Sequence, residues 1–167
     1  MPNQEHLDSG DREYYTPDRI VRLVRDLFGE IDLDPASCLE ANQTVQARTY
    51  YTKHQDGLIL PWFGKVWLNH PFDRRHNDTW VERLINSYEH GRVTEACCIT
   101  WANVGSGWFN KLSHYPQLYP YKRIHYYSPR GASRSAAPKA SVITYLGDRP
   151  EAFAYHFRPL GKIKVNI

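Results

Sequence analysis

The residue types with the most chemical potential stand together at Lys65–Val66–Trp67–Leu68–Asn69–His70–Pro71–Phe72. A β-branched and aromatic run bounded by turn residues predicts a buried strand, which sets Asn69 and Phe72 just past its carboxyl end. In open α/β sheets that edge is where ligands bind. A second polar group of this kind is Asp34: Ile31–Asp32–Leu33–Asp34 alternates apolar with acidic and Pro35 stops it, predicting a short strand that ends in a carboxylate. A solvated turn acid or a helix cap is the plainer use of the same residue. Gln55–Asp56–Gly57–Leu58 is a turn signature, because Asp-Gly tolerates the left-handed backbone of a tight turn. A metal-dependent nuclease could draw on Asp32, Asp34, Asp56 and His70, but no compact motif unites them and no metal is expected.

The elements that must position these groups follow from periodicity. Thr16 as N-cap and Pro17 as first helical residue introduce Ile20, Val21, Leu23, Val24, Leu27 and Phe28 at helical spacing, and Gly29 closes the helix. A short helix is expected over Ala36–Val45, and Arg48–Thr52 reads as a strand. His76–Asn77–Asp78 can cap a helix whose apolar face is Trp80, Val81, Leu84, Ile85 and Tyr88, running to Gly91. Val93–Trp101 is a continuous apolar-leaning run with two cysteines inside it, hence a buried central strand. A loop at Gly105–Gly107 leads into a short helix through Trp108, Phe109 and Leu112. Strands are expected at Arg123–Tyr127, Ser141–Leu146, Phe153–Phe157 and Lys162–Ile167. Helices alternating with strands predict an α/β layered domain with a mainly parallel, mixed sheet flanked by helices and a strand-rich, antiparallel last third. Residues 1–13 read as a polar lead-in and 14–167 as a single domain.

Composition bounds the partners. A chain of 167 residues with 41% hydrophobic and 23% charged content belongs to a globular protein with a real core. Aromatics make up 14%, enough for a core and for base-stacking surfaces alike. A net charge of +3 permits a phosphate-bearing partner without requiring one. Cys38 and the adjacent Cys97 and Cys98 form no CxxC or CxH spacing, which argues for a reducing compartment and against a zinc site. Met1–Arg12 has no apolar core of a signal peptide, and no run reaches membrane-spanning length, so a cytoplasmic location is expected. Ser128–Lys139 carries Arg130, Arg134 and Lys139 and no acid; it reads as a mobile surface loop or as a cationic segment following a nucleic-acid backbone.

Taken in order, Tyr14–Tyr15–Thr16–Pro17, Asp32–Leu33–Asp34–Pro35–Ala36–Ser37, Ala41–Asn42, Asp56–Gly57–Leu58, Trp62 and Asn69–His70–Pro71–Phe72 resemble the phage-type DNA adenine-N6 methyltransferases. Trp108–Phe109, Arg123–Ile124 and Ser135–Ala136–Ala137–Pro138 extend the resemblance over nearly the whole chain. It implies a Rossmann-like fold, S-adenosylmethionine as cofactor, and DNA, duplex or single-stranded, as partner. Tyr15, Thr16 and Pro17 would border the methionine end of the cofactor, with Asp34, Pro35 and Ala36 at the first strand's end. Asp56 would accept from the cofactor's adenine amine, with Asn69 also touching the cofactor, and Asn42 or Glu40 could reach its ribose. Asn69–His70–Pro71–Phe72 would be the (Asp/Asn/Ser)-Pro-Pro-(Tyr/Phe/Trp) catalytic loop, and Arg74, Arg75, Arg130, Arg134 and Lys139 the nucleic-acid contacts.

These residue types suit that chemistry. An exocyclic adenine amine is a poor nucleophile because its lone pair is delocalised into the ring. The Asn69 oxygen and the carbonyl of His70 can accept its two hydrogens and aim the lone pair at a methyl donor, which is positioning with electrostatics. Phe72 offers a stacking face worth on the order of 1–3 kcal/mol to an extruded base, and Pro71 fixes the turn.

Two departures stand out. No glycine-rich loop follows Asp34, and His70 replaces the usual first proline, which keeps the carbonyl but brings an imidazole to the base pocket. His70 leaves open a catalytically impaired nucleic-acid or cofactor-binding protein, or transfer to cytosine N4 or to RNA. The short chain leaves target reading to loops such as 74–77 and 128–139, so a short recognition sequence is expected.

Overall fold

The computed structural model describes residues 14–73, 75–127 and 139–166. The polar lead-in, Arg74, Arg130 and Arg134 lie outside the described residues. Helix α1 (Asp18–Phe28) leads to β1 (Leu33–Asp34), α2 (Leu39–Val45), β2 (Thr49–Tyr50) and β3 (Gly64–Leu68). Then come α3 (Asn77–Glu89), β4 (Val93–Trp101), α4 (Gly107–Leu112), β5 (Gln117–Pro120), β6 (Ser141–Leu146), α5 (Pro150–Phe157) and β7 (Gly161–Lys164).

The strands form one sheet in the order β2-β1-β3-β4-β6-β5-β7. Strands β2, β1, β3 and β4 are mutually parallel, and β6 runs against β4. Strand β5 runs against both β6 and β7, which returns it to the direction of β4. The parallel core and the antiparallel last third therefore coexist as expected, with helices on both faces. Because β1 lies between β2 and β3, the chain leaves β1 to one side and comes back on the other. That reversal opens a crevice beyond the carboxyl ends of β1 and β3.

Alternation along the strands splits the core into two layers. Trp67, Cys97 and Ile99 face α1 and α5, joining Val21, Val24, Leu27, Phe153 and Phe157. Val66, Leu68, Ala96 and Cys98 face α3, joining Trp80 and Leu84. The apolar-leaning Val93–Trp101 run is explained by this double burial, with the buried Glu95 paired to Arg149. Among the described residues no helix is long and apolar enough to cross a membrane.

Several elements differ from expectation. Phe153–Phe157 is helix, not strand: Pro150 starts it, and Phe153 and Phe157, four apart, meet on one buried face where Phe153 stacks on Tyr145 at 5.1 Å. Arg123–Tyr127 has the burial alternation of a strand, with Ile124 and Tyr126 buried between exposed neighbours, yet among the described residues its ladder contact is an isolated antiparallel bridge from Tyr127 to Tyr15. Strand β5 was hidden by Pro116 and Pro120, which mark an interior strand as improbable; Pro120 stands at its last position. Thr16 does not cap α1. Pro17 holds the cap position, and the Thr16 hydroxyl is engaged elsewhere. Pairing shortens the outer strands, so Arg48–Thr52 contracts to β2 and Lys162–Ile167 to β7, with Ile167 outside the described residues.

Candidate active site

A cavity of about 600 Å³ fills the crevice, within the range of small-molecule sites. Of the residues singled out in the sequence, Tyr15, Thr16, Asp34, Pro35, Ala36, Asp56, Asn69, His70 and Pro71 line it. Pro17 is buried beside it as the cap of α1. Phe72 is outside the lining: its ring packs on Trp101 at 4.3 Å and on Tyr14 at 5.7 Å. Asn42 is a clasp at its own helix end, its amide donating to the Ala47 carbonyl and accepting from the Ala47 N–H, so the side chain is engaged locally.

Asp34, 2% exposed, closes the floor at the end of β1. Burial pushes its carboxyl up to about 7, against the lowering pull of the Ala36 N–H and Ser37. The native state therefore holds this proton at pH values where an unfolded carboxyl has released it. Native stability tied to Asp34 is full below about pH 4 and is lost as pH rises toward 7. Asp34→Asn keeps the acceptor for Ala36 and removes the buried charge. The apo variant is expected to melt several degrees above the parent at pH 8 and level with it at pH 4, a difference that thermal melts at the two pH values measure.

The mouth is shaped by the turn after β2. Asp56 itself takes the left-handed conformation, at φ 57°, and its Oδ1 accepts from the Leu58 N–H at 3.1 Å. Gly57 is needed for space: a Cβ there would lie 1.8 Å from the Pro35 carbonyl oxygen. The Trp62 indole donates to the Gly57 carbonyl at 2.7 Å, tying the turn to the core.

At the end of β3 the Asn69 Nδ2 donates to the Tyr14 carbonyl at 2.7 Å and to the Thr16 hydroxyl oxygen at 2.9 Å. Both donors are used, and Oδ1 is left as an acceptor. His70 turns to the α3 side, 1% exposed, parallel to Trp80 at 6.3 Å. Burial lowers its pKa to about 4, so the ring is neutral near pH 7. Nδ1 donates to the Pro71 carbonyl at 2.9 Å, and the buried Nε2 has no hydrogen-bond partner among the described residues. The same is true of the Trp67 Nε1–H, in the lining of the same cavity. Both residues line the cavity, and each carries a buried ring nitrogen without a hydrogen-bond partner among the described residues.

Sequence reading passed over Trp67, Trp80 and Cys38 as site residues. Trp67 reads as part of a buried strand and Trp80 as part of a helix's apolar face, and both serve the core as well. Cys38 caps α2 by accepting from the Ala41 N–H and meets the Tyr15 hydroxyl at 3.2 Å; its place just before a helix start was the available signal. Arg75 and Lys139 are exposed, and both lie at the sheet edge of Asn69, since Lys139 precedes β6, whose first residue pairs with the last of β4.

A seven-stranded mixed sheet with a parallel core, flanked by helices and carrying its cavity at the β1/β3 switch point, defines a Rossmann-like methyltransferase fold. The family model for DNA N-6-adenine-methyltransferase (Dam) matches residues 4–144, and the chain belongs to that family. It is an enzyme that methylates adenine at N6 in DNA. No curated protein matches the chain.

Proposed function

We propose that the cavity binds S-adenosylmethionine and that Asn69, with the carbonyl of His70, presents the adenine amine to it. The observation that carries this reading is the Asn69 amide, whose donors are both engaged so that an acceptor remains at the rim of a cofactor-sized cavity. The residues present fit the cofactor. Asp34 and Asp56 offer carboxylates, Gly57 keeps the turn close to Pro35, and the Trp67 and His70 nitrogens lack partners that a polar ligand supplies. Tyr15, Thr16, Pro17, Pro35 and Ala36 would shape the pocket around it.

When bound, S-adenosylmethionine supplies an electrophilic methyl group. The chain's own work is orientation: Asn69 Oδ1 and the His70 carbonyl accept the two amine hydrogens, localising the lone pair along one direction. His70 stays neutral, its ring parallel to Trp80 and edge-on to Phe72 at 5.8 Å. It lines the cavity beside Asn69. Tyr14, which both lines the cavity and touches Phe72, marks the boundary to the aromatic group Phe72, Trp101 and Tyr126, in which half-buried Phe72 would offer the stacking face to an extruded base. Arg75 and Lys139 would neutralise phosphates at that edge, with Arg74, Arg130 and Arg134 in the same role.

Calorimetry with S-adenosylmethionine and incubation with DNA, followed by digestion to nucleosides, tests the reading. Saturable 1:1 binding and N6-methyl-2′-deoxyadenosine in the digest are expected. Absence of cofactor binding, or methyl transfer only from another donor, refutes it.

A further inference from the structure

We propose that Thr16 and the Tyr14 main-chain carbonyl form an amide lock, making Thr16 a positioning residue that fixes which end of the Asn69 side chain meets the substrate. The inference rests on the reading that Asn69 presents the adenine amine. A terminal amide has two nearly isosteric orientations, and only one exposes oxygen to the target. Here the choice is made by chemistry. If the amide turned over, Oδ1 would lie 2.7 Å from the Tyr14 carbonyl oxygen, two acceptors with no proton between them. The second amide hydrogen reaches Thr16 Oγ1 at 2.9 Å, and Thr16 is 5% exposed, so water does not compete freely for it.

The segment that carries the lock is itself held on both sides. The Tyr15 N–H donates to the Tyr127 carbonyl and the Tyr127 N–H to the Tyr15 carbonyl, each at 2.9 Å. The Tyr14 ring meets Trp101 and Tyr126 edge-on, both at 5.5 Å. Pro17, with φ at −64°, enters α1 directly afterwards. An orienting shell built on anchored backbone is what keeps a reacting group in its productive geometry. The lock also makes a demand on residue type. An Asp at 69 has no hydrogen to give when ionised, so its carboxylate would face the Tyr14 carbonyl oxygen; only the protonated acid can donate there. The family loop pattern admits Asp, but in this chain the partner at residue 14 selects Asn.

The test uses Thr16→Val and Thr16→Ser in the full chain, with two independent readouts. In the ligand-free protein, the Asn69 side-chain NH₂ signals in ¹⁵N-labelled protein are expected to show slow solvent exchange, lost in Thr16→Val and retained in Thr16→Ser. In turnover, Thr16→Val is expected to lower kcat about five- to tenfold with KM for DNA and cofactor held within about twofold, and Thr16→Ser to restore kcat. Unprotected Asn69 NH₂ in the parent, an unchanged kcat in Thr16→Val, or a loss that serine does not rescue overturns the lock. Failure of cofactor binding in the parent would instead strike the proposed donor, because the NH₂ readout needs neither ligand nor activity. Should Thr16→Val not fold, Asn69→Asp decides: activity rising toward acid pH, as the carboxyl gains the proton it must donate, supports the lock, and a pH profile like that of the parent refutes it.

Discussion

Asn69→Ala is expected to lower kcat by a factor on the order of 10²–10³, the usual cost of removing one group aimed at a transition state, with cofactor affinity nearly intact. The substitution deletes the one acceptor that the amide leaves available and does not disturb the carboxylates or the Asp56 turn. Two former acceptors, the Tyr14 carbonyl and the Thr16 hydroxyl, lose their donor, which lowers stability by about 1–3 kcal/mol at most. Single-turnover methyl transfer measured beside cofactor titration separates these effects. A tenfold weaker cofactor with chemistry unchanged would mean that Asn69 serves the pocket and not the amine.

The second large effect is expected at Gly57. Gly57→Val would set side-chain carbon where the Pro35 carbonyl already is, since even a Cβ lands 1.8 Å from that oxygen. The turn must move away from the end of β1, and the Trp62 indole that donates to the Gly57 carbonyl must move with it. Overpacking of this kind costs about 1–3 kcal/mol, and a displacement near 1 Å at a binding wall costs on the order of 10² in function. Cofactor affinity is therefore expected to fall about 10- to 100-fold. Calorimetry on the folded variant is the measurement, and unchanged affinity would remove this turn from the pocket.

Legibility in the sequence tracked the range of the interactions. Local periodicity sufficed for α1, α3 and the doubly buried β4, and turn chemistry located both strand ends that form the cavity floor. Where a residue's partner lies far along the chain, local reading failed. Thr16 looked like a helix cap because its neighbours are Pro17 and an apolar helix; its actual partner is 53 positions away. Phe153 and Phe157 sit in a run rich in β-formers, and the flat face of Tyr145 against Phe153 decides for helix. The burial alternation at 123–127 was real, but alternation reports the faces of a segment and not whether a neighbouring strand exists to pair with it. At Asp56–Gly57 the dipeptide was read as a turn, and only the packing against Pro35 shows why glycine follows the acid there.

The bridge between Tyr15 and Tyr127 has a kinetic side. It joins points separated by about two-thirds of the chain with a single rung of two hydrogen bonds. Closing so long a span carries a large loop-entropy cost, which the bridge offsets together with the Tyr14 ring contacts and the Asn69 hydrogen bonds to residues 14 and 16. Contacts of such range form late, after the local pairing of the central strands. The cavity walls on β1, β3 and α2 can thus be in place while residues 14–16 are still undocked. In such a species the Asn69 amide has no fixed sense of direction. Competence to transfer a methyl group then arrives late in folding, once residues 14–16 have docked on the loop after β3.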